Sequence, residues 1–339
     1  MVSSYLKIRS LCVRIKDPTA NPPIDHISAP RAISVSVPQG SILGPTLFNV
    51  FINDFQYCHN LNSFQYADDT TIILDNSDYK ALESKTNLEL ESITKWLCAN
   101  NLSPNIFKTV FMLITNKKRQ NLNISMNGKK LNQVESYKSL GLNLDQNLNF
   151  EKQCTKVAKN LSKVNYLLYK NKYFLDSRTK IQLYYSLAYP HLTYNNVLWG
   201  NAPSKYLSKV IVAQKRIIRN ILGDTRASAT AGFQSLRILN MSQIFEHQCI
   251  TYMYKIGNSN CPELVALSIS SNQVMHSYNT RRNNDVRKPL FKLSISQNAF
   301  SFQGPKFWNA LPPRIKTLNC TASTFSKNVK NFIIDKTEI

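Results

Sequence analysis

Tyr66-Ala67-Asp68-Asp69-Thr70 is the stretch from which we predict the fold of this chain. Apolar arms flank the two aspartates, at residues 64–66 before them and 71–74 after them. Aromatic and β-branched residues on both sides of a short polar centre predict a β-hairpin with the aspartates at its tip. Adjacent carboxylates repel each other unless a cation is shared between them, so the pair is a candidate metal site. Paired aspartates are also common in ordinary surface turns, and the dipeptide alone does not decide between the two.

The blocks around the hairpin carry more information than the dipeptide does. Residues 37–45 read Val-Pro-Gln-Gly-Ser-Ile-Leu-Gly-Pro, and residues 51–54 read Phe-Ile-Asn-Asp. In this order and spacing the series resembles the reverse transcriptase family, specifically the jockey-like non-LTR (LINE-type) retrotransposon enzymes. Residues 37–45 and 66–70 correspond to motifs B and C of that family. Three later blocks extend the resemblance, to motif D (Trp96, residues 101–103 and Lys108-Thr109), to the primer grip (residues 139–141 and Asp145) and to the tail of the same elements (residues 301–312).

The family resemblance implies a fold and a reaction. The expected fold class is α+β: an incomplete polymerase palm, built as an antiparallel sheet with packed helices, followed by a mostly α-helical thumb and carboxyl-terminal region. We expect a partial palm at residues 1–148, a helical thumb at 149–225 and a basic region of unknown function at 226–339. The implied activity is RNA-directed DNA polymerisation with Mg²⁺ in a two-metal site. The implied partners are an RNA template, an RNA–DNA duplex and deoxynucleotide triphosphates. A group II intron maturase shares the palm motifs, but residues 304–312 argue against that alternative.

Six residues take roles from the resemblance. Asp68 and Asp69 would hold the metal ions, with Asp68 the firmer ligand, and Lys108 would protonate the departing pyrophosphate. From spacing alone, Lys108 is equally well explained as a solvated loop lysine. Three residues are expected to contact the substrates. Gln39 and Gly40 would lie beside the nascent base pair, and Tyr66 would pack against the primer end. A glycine at such a place lets the backbone approach the nucleotide closely.

The sequence departs from the family in the segment before residue 37. The family has a third metal-binding aspartate upstream of motif B, whereas here that region holds Asp17 and Asp25, both in or beside a proline-bearing connection. Ser36 and Ser139 stand where the family usually has a glycine and an aromatic residue. We therefore expect that motif A and the fingers are missing and that the chain alone does not polymerise. Two alternatives to the enzyme stay open, a non-catalytic remnant that holds RNA or RNA–DNA through its thumb and a fragment without a role.

Residues 150–170 predict an amphipathic helix with a basic face. Six apolar residues step by four and three positions, and five lysines occupy the opposite side: Lys152, Lys156, Lys159, Lys163 and Lys170. The charge is asymmetric, with 15 Lys and Arg against 12 Asp and Glu up to residue 150, and 27 against 8 beyond it. A basic stripe of this kind can follow phosphates without reading sequence, so the five lysines are candidate nucleic-acid ligands. A helix that is merely solvated is the alternative.

The rest of the chain adds exclusions and a coarse element order. The seven cysteines are isolated, with no C-x-x-C pair, which argues against a zinc finger and suits a reducing compartment. We find no membrane span or signal peptide and expect an intracellular protein, cytoplasmic or nuclear. Helical spacing predicts helices at residues 43–55, 78–99, 177–190, 205–222, 241–257 and 324–334, and alternation predicts strands at 32–37, 110–115 and 140–144. After Asn258 the periodicity weakens; four basic residues there either contact RNA or belong to a disordered tail (Arg281, Arg282, Arg287 and Lys288).

Overall fold

The structure is a computed structural model that describes residues 5–7, 9–17, 19, 24–33, 37–38, 40–224, 226–258, 269 and 285–336. The chain divides into two compact units. The first comprises Met1–Phe111 and Gln120–Gln133, and the second comprises Met112–Arg119 and Val134–Ile339. Within the described ranges, no helix is both long and apolar enough to cross a membrane.

The first unit consists of short paired strands and two long helical segments. Its strands are β1 (Arg9–Leu11), β2 (Arg14–Asp17), β3 (Ile24–Ile27), β4 (Arg31–Ile33), β5 (Asn62–Tyr66), β6 (Asp69–Ile73), β7 (Val110–Phe111), β8 (Ser125–Met126), β9 (Lys129–Lys130) and β10 (Asn132–Gln133). Helix α1 (Leu43–Phe51) leads into a 3₁₀ turn (Asn53–Tyr57), and α2 spans Tyr79–Ala99. The Asp78 carboxylate caps α2 by accepting from the Ala81 amide at 2.9 Å, which satisfies one of the free donors at the helix start.

Trp96 joins α2 to the segment after α1. Its indole Nε1 donates to the Asp54 carboxylate at 3.3 Å, and its ring meets the buried Phe55 ring edge to face at 5.2 Å. The buried Glu89 carboxylate accepts from the Asn60 amide at 3.1 Å, a second tie between the same two elements. The Phe-Ile-Asn-Asp block at residues 51–54 and Trp96 are therefore neighbours in space.

The single antiparallel sheet expected for a palm is not what the described residues form. The described strands of the chain make six separate two-stranded sheets, and one of them, β7–β10, is parallel. The pairs β1–β4, β2–β3 and β5–β6 leave apolar side chains exposed to solvent. Within the described residues, no other element packs over these side chains. The expectation of mixed helix and strand structure is confirmed, while the palm sheet stays a prediction that the described residues do not confirm.

The second unit begins with a hairpin and continues as helices. Antiparallel β11 (Ser136–Ser139) and β12 (Leu142–Asp145) precede α3 (Glu151–Lys170), α4 (Ser177–Leu183), a π-helical turn (Tyr184–Ala188), α5 (Tyr189–Thr193), α6 (Asn196–Trp199) and α7 (Ser204–Leu222). The remaining helices are α8 (Ala229–Ser235), α9 (Met241–Gly257), α10 (Ser294–Asn298), α11 (Phe300–Asn309), α12 (Pro313–Lys316) and α13 (Ala322–Asp335). The prediction of a strand at residues 140–144 was wrong at its start, because Leu140 and Gly141 form the hairpin turn with φ of 44° and 85°.

One hydrophobic core holds the second unit together. The predicted apolar stripe of α3 is confirmed, since Cys154, Val157, Leu161, Val164 and Leu168 are all buried. The same core includes buried residues of α7, α9 and α13, so the helices after residue 226 pack with the predicted thumb in one unit.

Helix α11 was missed from the sequence because it contains Pro305, a residue that normally argues against a helix interior. Its Gln303, Gly304 and Pro305 are buried. A Cβ at Gly304 would lie 2.9 Å from the Phe300 ring and 3.0 Å from the Met253 sulfur, so a larger residue would force these side chains to shift.

Candidate functional site

The acidic dipeptide lies at the tip of a β-hairpin, as predicted. Strands β5 and β6 pair with Tyr66 opposite Asp69, which leaves Ala67 and Asp68 as a two-residue loop. Ala67 has a φ of 53°, a conformation that costs an L-residue about 1–2 kcal/mol. The tight loop places Asp68 and Asp69 at the end of the hairpin.

The carboxylates at this tip are open to solvent. Asp68, Asp69 and Tyr66 are all exposed. In the part of the chain that the structure describes, no group of three or more His, Cys, Asp and Glu side chains is placed to hold a metal ion. The two aspartates supply hard oxygen ligands of the kind that Mg²⁺ prefers. They make up only part of the ligand set that a pair of Mg²⁺ ions requires.

Lys108 lies in an exposed turn after α2, where its amide is 3.2 Å from the Asn105 Oδ1 atom. Among the described residues, no hydrogen bond or ion pair joins Lys108 to Asp68 or Asp69. Its predicted role as a proton donor therefore stays a prediction.

Gly40 occupies a turn that leads into α1. The Ser41 amide donates to the Pro38 carbonyl at 3.3 Å, and Gly40 has a φ of 81°, which glycine adopts without strain. The Ser41 hydroxyl then accepts from the Gly44 amide at 3.0 Å and caps the first turn of the helix. Gln39 and Ser36 lie outside the described residues, so their predicted places stay untested.

In the second unit, the β11–β12 turn is fixed by two side chains from distant positions. The Tyr194 hydroxyl donates to the Leu140 carbonyl, and the Lys156 ammonium donates to the Gly141 carbonyl at 2.8 Å. Tyr194 carries no signal in the sequence for this role, because it lies 54 residues from Leu140. The turn that resembles a primer grip is thus attached directly to α3 and to the segment after α5.

Asp145 and Gln153 join the end of β12 to the start of α3. The Asp145 carboxylate accepts from three amides, those of Asn147 (3.1 Å), Asn149 (3.1 Å) and Phe150 (2.7 Å). The buried Gln153 side chain accepts from the Asn143 backbone amide and side-chain nitrogen, both at 3.2 Å. The hairpin and the basic helix therefore form one rigid structural element.

All five predicted lysines of α3 are exposed, on the side opposite its buried stripe. They differ in their contacts. Lys152 donates to the Ser136 hydroxyl at 2.5 Å and Lys156 to Gly141, while the Lys170 ammonium lies 5.7 Å from the centre of the Tyr166 ring. In the described ranges, no hydrogen bond or acidic partner engages Lys159 or Lys163. Lys159, Lys163 and Lys170 are therefore the lysines of this face that make no hydrogen bond to the β11–β12 hairpin in the described residues.

Comparison with known proteins identifies the first part of the chain. Residues 7–144 match the family described as reverse transcriptase (RNA-dependent DNA polymerase). The chain is 30% identical over 209 residues to the RNA-directed DNA polymerase from mobile element jockey of Drosophila funebris, an alignment covering 58% of this chain and 23% of that protein. The corresponding jockey protein of Drosophila melanogaster is 27% identical over 236 residues, covering 66% of this chain and 25% of the relative.

A more distant element shows the same pattern. The probable RNA-directed DNA polymerase from transposon BS of Drosophila melanogaster is 26% identical over 236 residues, covering 65% of this chain and 25% of that protein. The chain spans about a quarter of the length of the curated relatives it matches. No solved structure matches it significantly. Residues 7–144 therefore form a reverse transcriptase domain that is similar to those of jockey-like non-LTR retrotransposons.

Proposed function

We propose that this chain serves RNA-directed DNA synthesis by holding the template–primer duplex and by supplying the acidic hairpin of the polymerase site. The match of residues 7–144 to the reverse transcriptase family is the observation that carries the proposal. The exposed Asp68-Asp69 tip and the basic face of α3 support it, because polymerisation requires both acidic metal ligands and a grip on phosphates.

Within this proposal, the strands and helices of the first unit act as palm elements, and α3 with its neighbours acts as the thumb. Gly40 and Gln39 lie beside the nascent base pair, and Tyr66 packs against the primer end. Lys108 is the proton donor to the pyrophosphate. Metal ions bound at Asp68 and Asp69 would stabilise the charge of the reacting phosphates, as Mg²⁺ does in nucleotidyl transfer.

The described residues do not fit a complete pair of Mg²⁺ sites, because two carboxylates at the tip are not joined by a third acidic side chain. We therefore assign no catalytic step to the metal in this chain. We expect the chain by itself to bind an RNA–DNA duplex without extending the primer.

The test is a primer-extension assay on an RNA template with Mg²⁺ and all four deoxynucleotides. The chain alone should give no extension. A chimera that adds the segment preceding the aligned region of the Drosophila funebris jockey protein should extend the primer, and Asp68→Asn should abolish that extension. Asp75→Asn, which removes another exposed carboxylate shortly after β6, is the matched control and should leave extension unchanged. Robust extension by the chain alone, lost in Asp68→Asn, would show that its own residues complete the site.

A further inference from the structure

The carboxyl-terminal end of α3 exposes an unusual number of aromatic rings. Four lie within the segment 166–174, with exposed fractions of 60% for Tyr166, 50% for Tyr169, 84% for Tyr173 and 86% for Phe174. Aromatic side chains gain free energy by leaving water, so a cluster of exposed rings marks a surface that binds something. We refer to these four rings, with Lys170 and Lys172, as the aromatic–basic patch.

Lysine side chains lie among the rings of this patch. The Lys172 ammonium is 4.9 Å from the centre of the Tyr169 ring and 4.7 Å from that of Tyr173, and Lys170 lies over Tyr166. No carboxylate pairs with either lysine among the described residues. Asp176, the nearest acidic residue along the chain, is engaged in capping α4 by accepting from the Thr179 amide at 3.0 Å. The patch is therefore both aromatic and positively charged.

This combination selects the class of partner. A purely apolar partner would remove water from the ammonium groups without offering them an anion, which is costly. Unpaired nucleotides offer a flat base to each ring and a phosphate to each cation, and base–aromatic stacking tolerates any sequence. A base-paired duplex hides its base faces inside the stack. The patch begins at Tyr166, about one helical turn after Lys163, so it lies next to the α3 lysines that hold the duplex in the proposed function.

We propose that the aromatic–basic patch binds unpaired nucleotides of the template next to the duplex. The position beside the duplex rests on the proposed function. The rings of Tyr173 and Phe174 supply the stacking surfaces, and Lys170 and Lys172 supply the cations.

The experiment compares two fluorescent ligands, a blunt RNA–DNA duplex and the same duplex with a short single-stranded RNA overhang. For the wild-type chain, the overhang should tighten binding by about tenfold for each base that stacks. The double variant Tyr173→Ser/Phe174→Ser should lose this gain and bind the blunt duplex as the wild type does. Tyr173→Phe should keep the gain, because it retains a ring. Tyr57→Ser is the matched control, since it removes a tyrosine of similar exposure, 79%, from the first unit.

Each other outcome has a defined meaning. Equal binding of both ligands by the wild type would overturn the patch proposal and leave the proposed function standing. Failure to bind either ligand would overturn both. If the double variant loses blunt-duplex binding with an unchanged melting temperature, the patch is part of the duplex grip and not a site for unpaired bases. Sedimentation measures whether the chain self-associates. If the wild type is a dimer and the double variant is a monomer, the patch is a self-association surface and the proposal is overturned. If the double variant does not fold, Lys172→Gln provides the same comparison, with a smaller loss expected.

Discussion

His247 is a buried histidine whose two ring nitrogens have different environments. Nε2 lies 2.9 Å from the Ser326 carbonyl, which can only accept, so Nε2 carries the hydrogen. Nδ1 is buried and has no partner. Burial lowers the pKa of His247, the hydrogen bond to Ser326 opposes this, and the nearby Lys330 charge lowers the pKa further. The neutral ring is the form that fits between α9 and α13.

We predict that His247 makes the stability of the second unit depend on pH. An unfolded histidine has a pKa of about 6.5, and the folded value lies below it. The unfolded chain therefore binds more protons below that pH, so stability is fully present above about pH 6.5 and falls as the pH drops through this value toward the folded pKa. Urea titrations between about pH 5.5 and 7.5 would measure the loss.

His247→Gln keeps a side-chain donor for Ser326 and does not titrate, so its free energy of unfolding should change less across this window than that of the wild type. His191→Gln, which removes an exposed histidine from the same unit, is the control variant. A pH dependence identical in the wild type and His247→Gln would contradict the assignment.

The sequence predicted the position of residues whose role is local and missed residues whose role depends on distant contacts. Asp68 and Asp69 were placed at a hairpin tip because apolar arms on both sides define the hairpin within eleven residues. The positive φ of Ala67 was not predicted, because a non-glycine residue gives no signal for it. Nor could the pairing of Lys156 with Gly141 be seen, because it depends on how β11–β12 packs against α3.

Helix α3 carries two kinds of lysine on one face, those that hold the β11–β12 hairpin and those that we propose bind nucleic acid. Lys152 and Lys156 hold the β11–β12 hairpin, whereas Lys159 and Lys163 are one helical turn apart and point to solvent. A row of cations that reads only the nucleic-acid backbone gives a salt-dependent affinity, with a slope of about −0.9 in log K against log salt for each phosphate neutralised on a DNA duplex.

We predict that Lys159→Glu/Lys163→Glu makes the slope of log K against log salt less steep, by the contribution of roughly two phosphates. The variant should weaken binding equally for all duplex sequences. Lys80→Glu/Lys85→Glu, the same charge change at exposed positions of α2, should leave the slope unchanged. Lys156→Met should instead lower the free energy of unfolding by about 1 kcal/mol, because it removes the hydrogen bond to Gly141. Titrating a fluorescent RNA–DNA duplex at several salt concentrations, with melting curves alongside, measures both effects. If Lys156→Met changed the slope as much as the Lys159/Lys163 variant does, the assignment of Lys156 to the hairpin and of Lys159 and Lys163 to nucleic-acid binding would be wrong.

Elements with an apolar stripe were the easiest to predict. The periodic pattern of residues 150–170 predicted α3 to within one residue, and the helices predicted at 205–222 and 241–257 were found in the same way. Strand β11 was missed because Ser136–Ser139 is polar and has no alternating pattern. The π-helical turn Tyr184–Ala188 was also missed; it interrupts a stretch predicted as one helix, and its wider turn depends on packing around the buried Tyr184.

The two units differ in how much apolar surface they bury. The large hydrophobic core belongs to the second unit, where α3, α7, α9 and α13 contribute fully buried side chains. In the first unit, the outer strands leave apolar side chains exposed, among them Leu11, Ile15, Ile24, Ile27 and Ile73. Apolar burial is the main source of folding free energy, and sequence patterns could not reveal this difference because both parts are rich in apolar residues.

From this difference we predict that the strands of the first unit open at much lower free energy than the helices of the second. Amide hydrogen exchange followed by mass spectrometry should show β1–β6 exchanging first and α3, α7 and α9 exchanging last, near the global unfolding free energy. Helix α2 is the internal reference for the first unit. It is a long helix with a side-chain cap, and its Ile93 is buried, so its amides should exchange between the two extremes. If β5 and β6 were protected as strongly as α7, the exposed apolar side chains of the hairpin would have to be covered in solution. Since the hairpin carries Asp68 and Asp69, the same measurement shows how firmly the chain alone holds the two carboxylates that we propose as metal ligands.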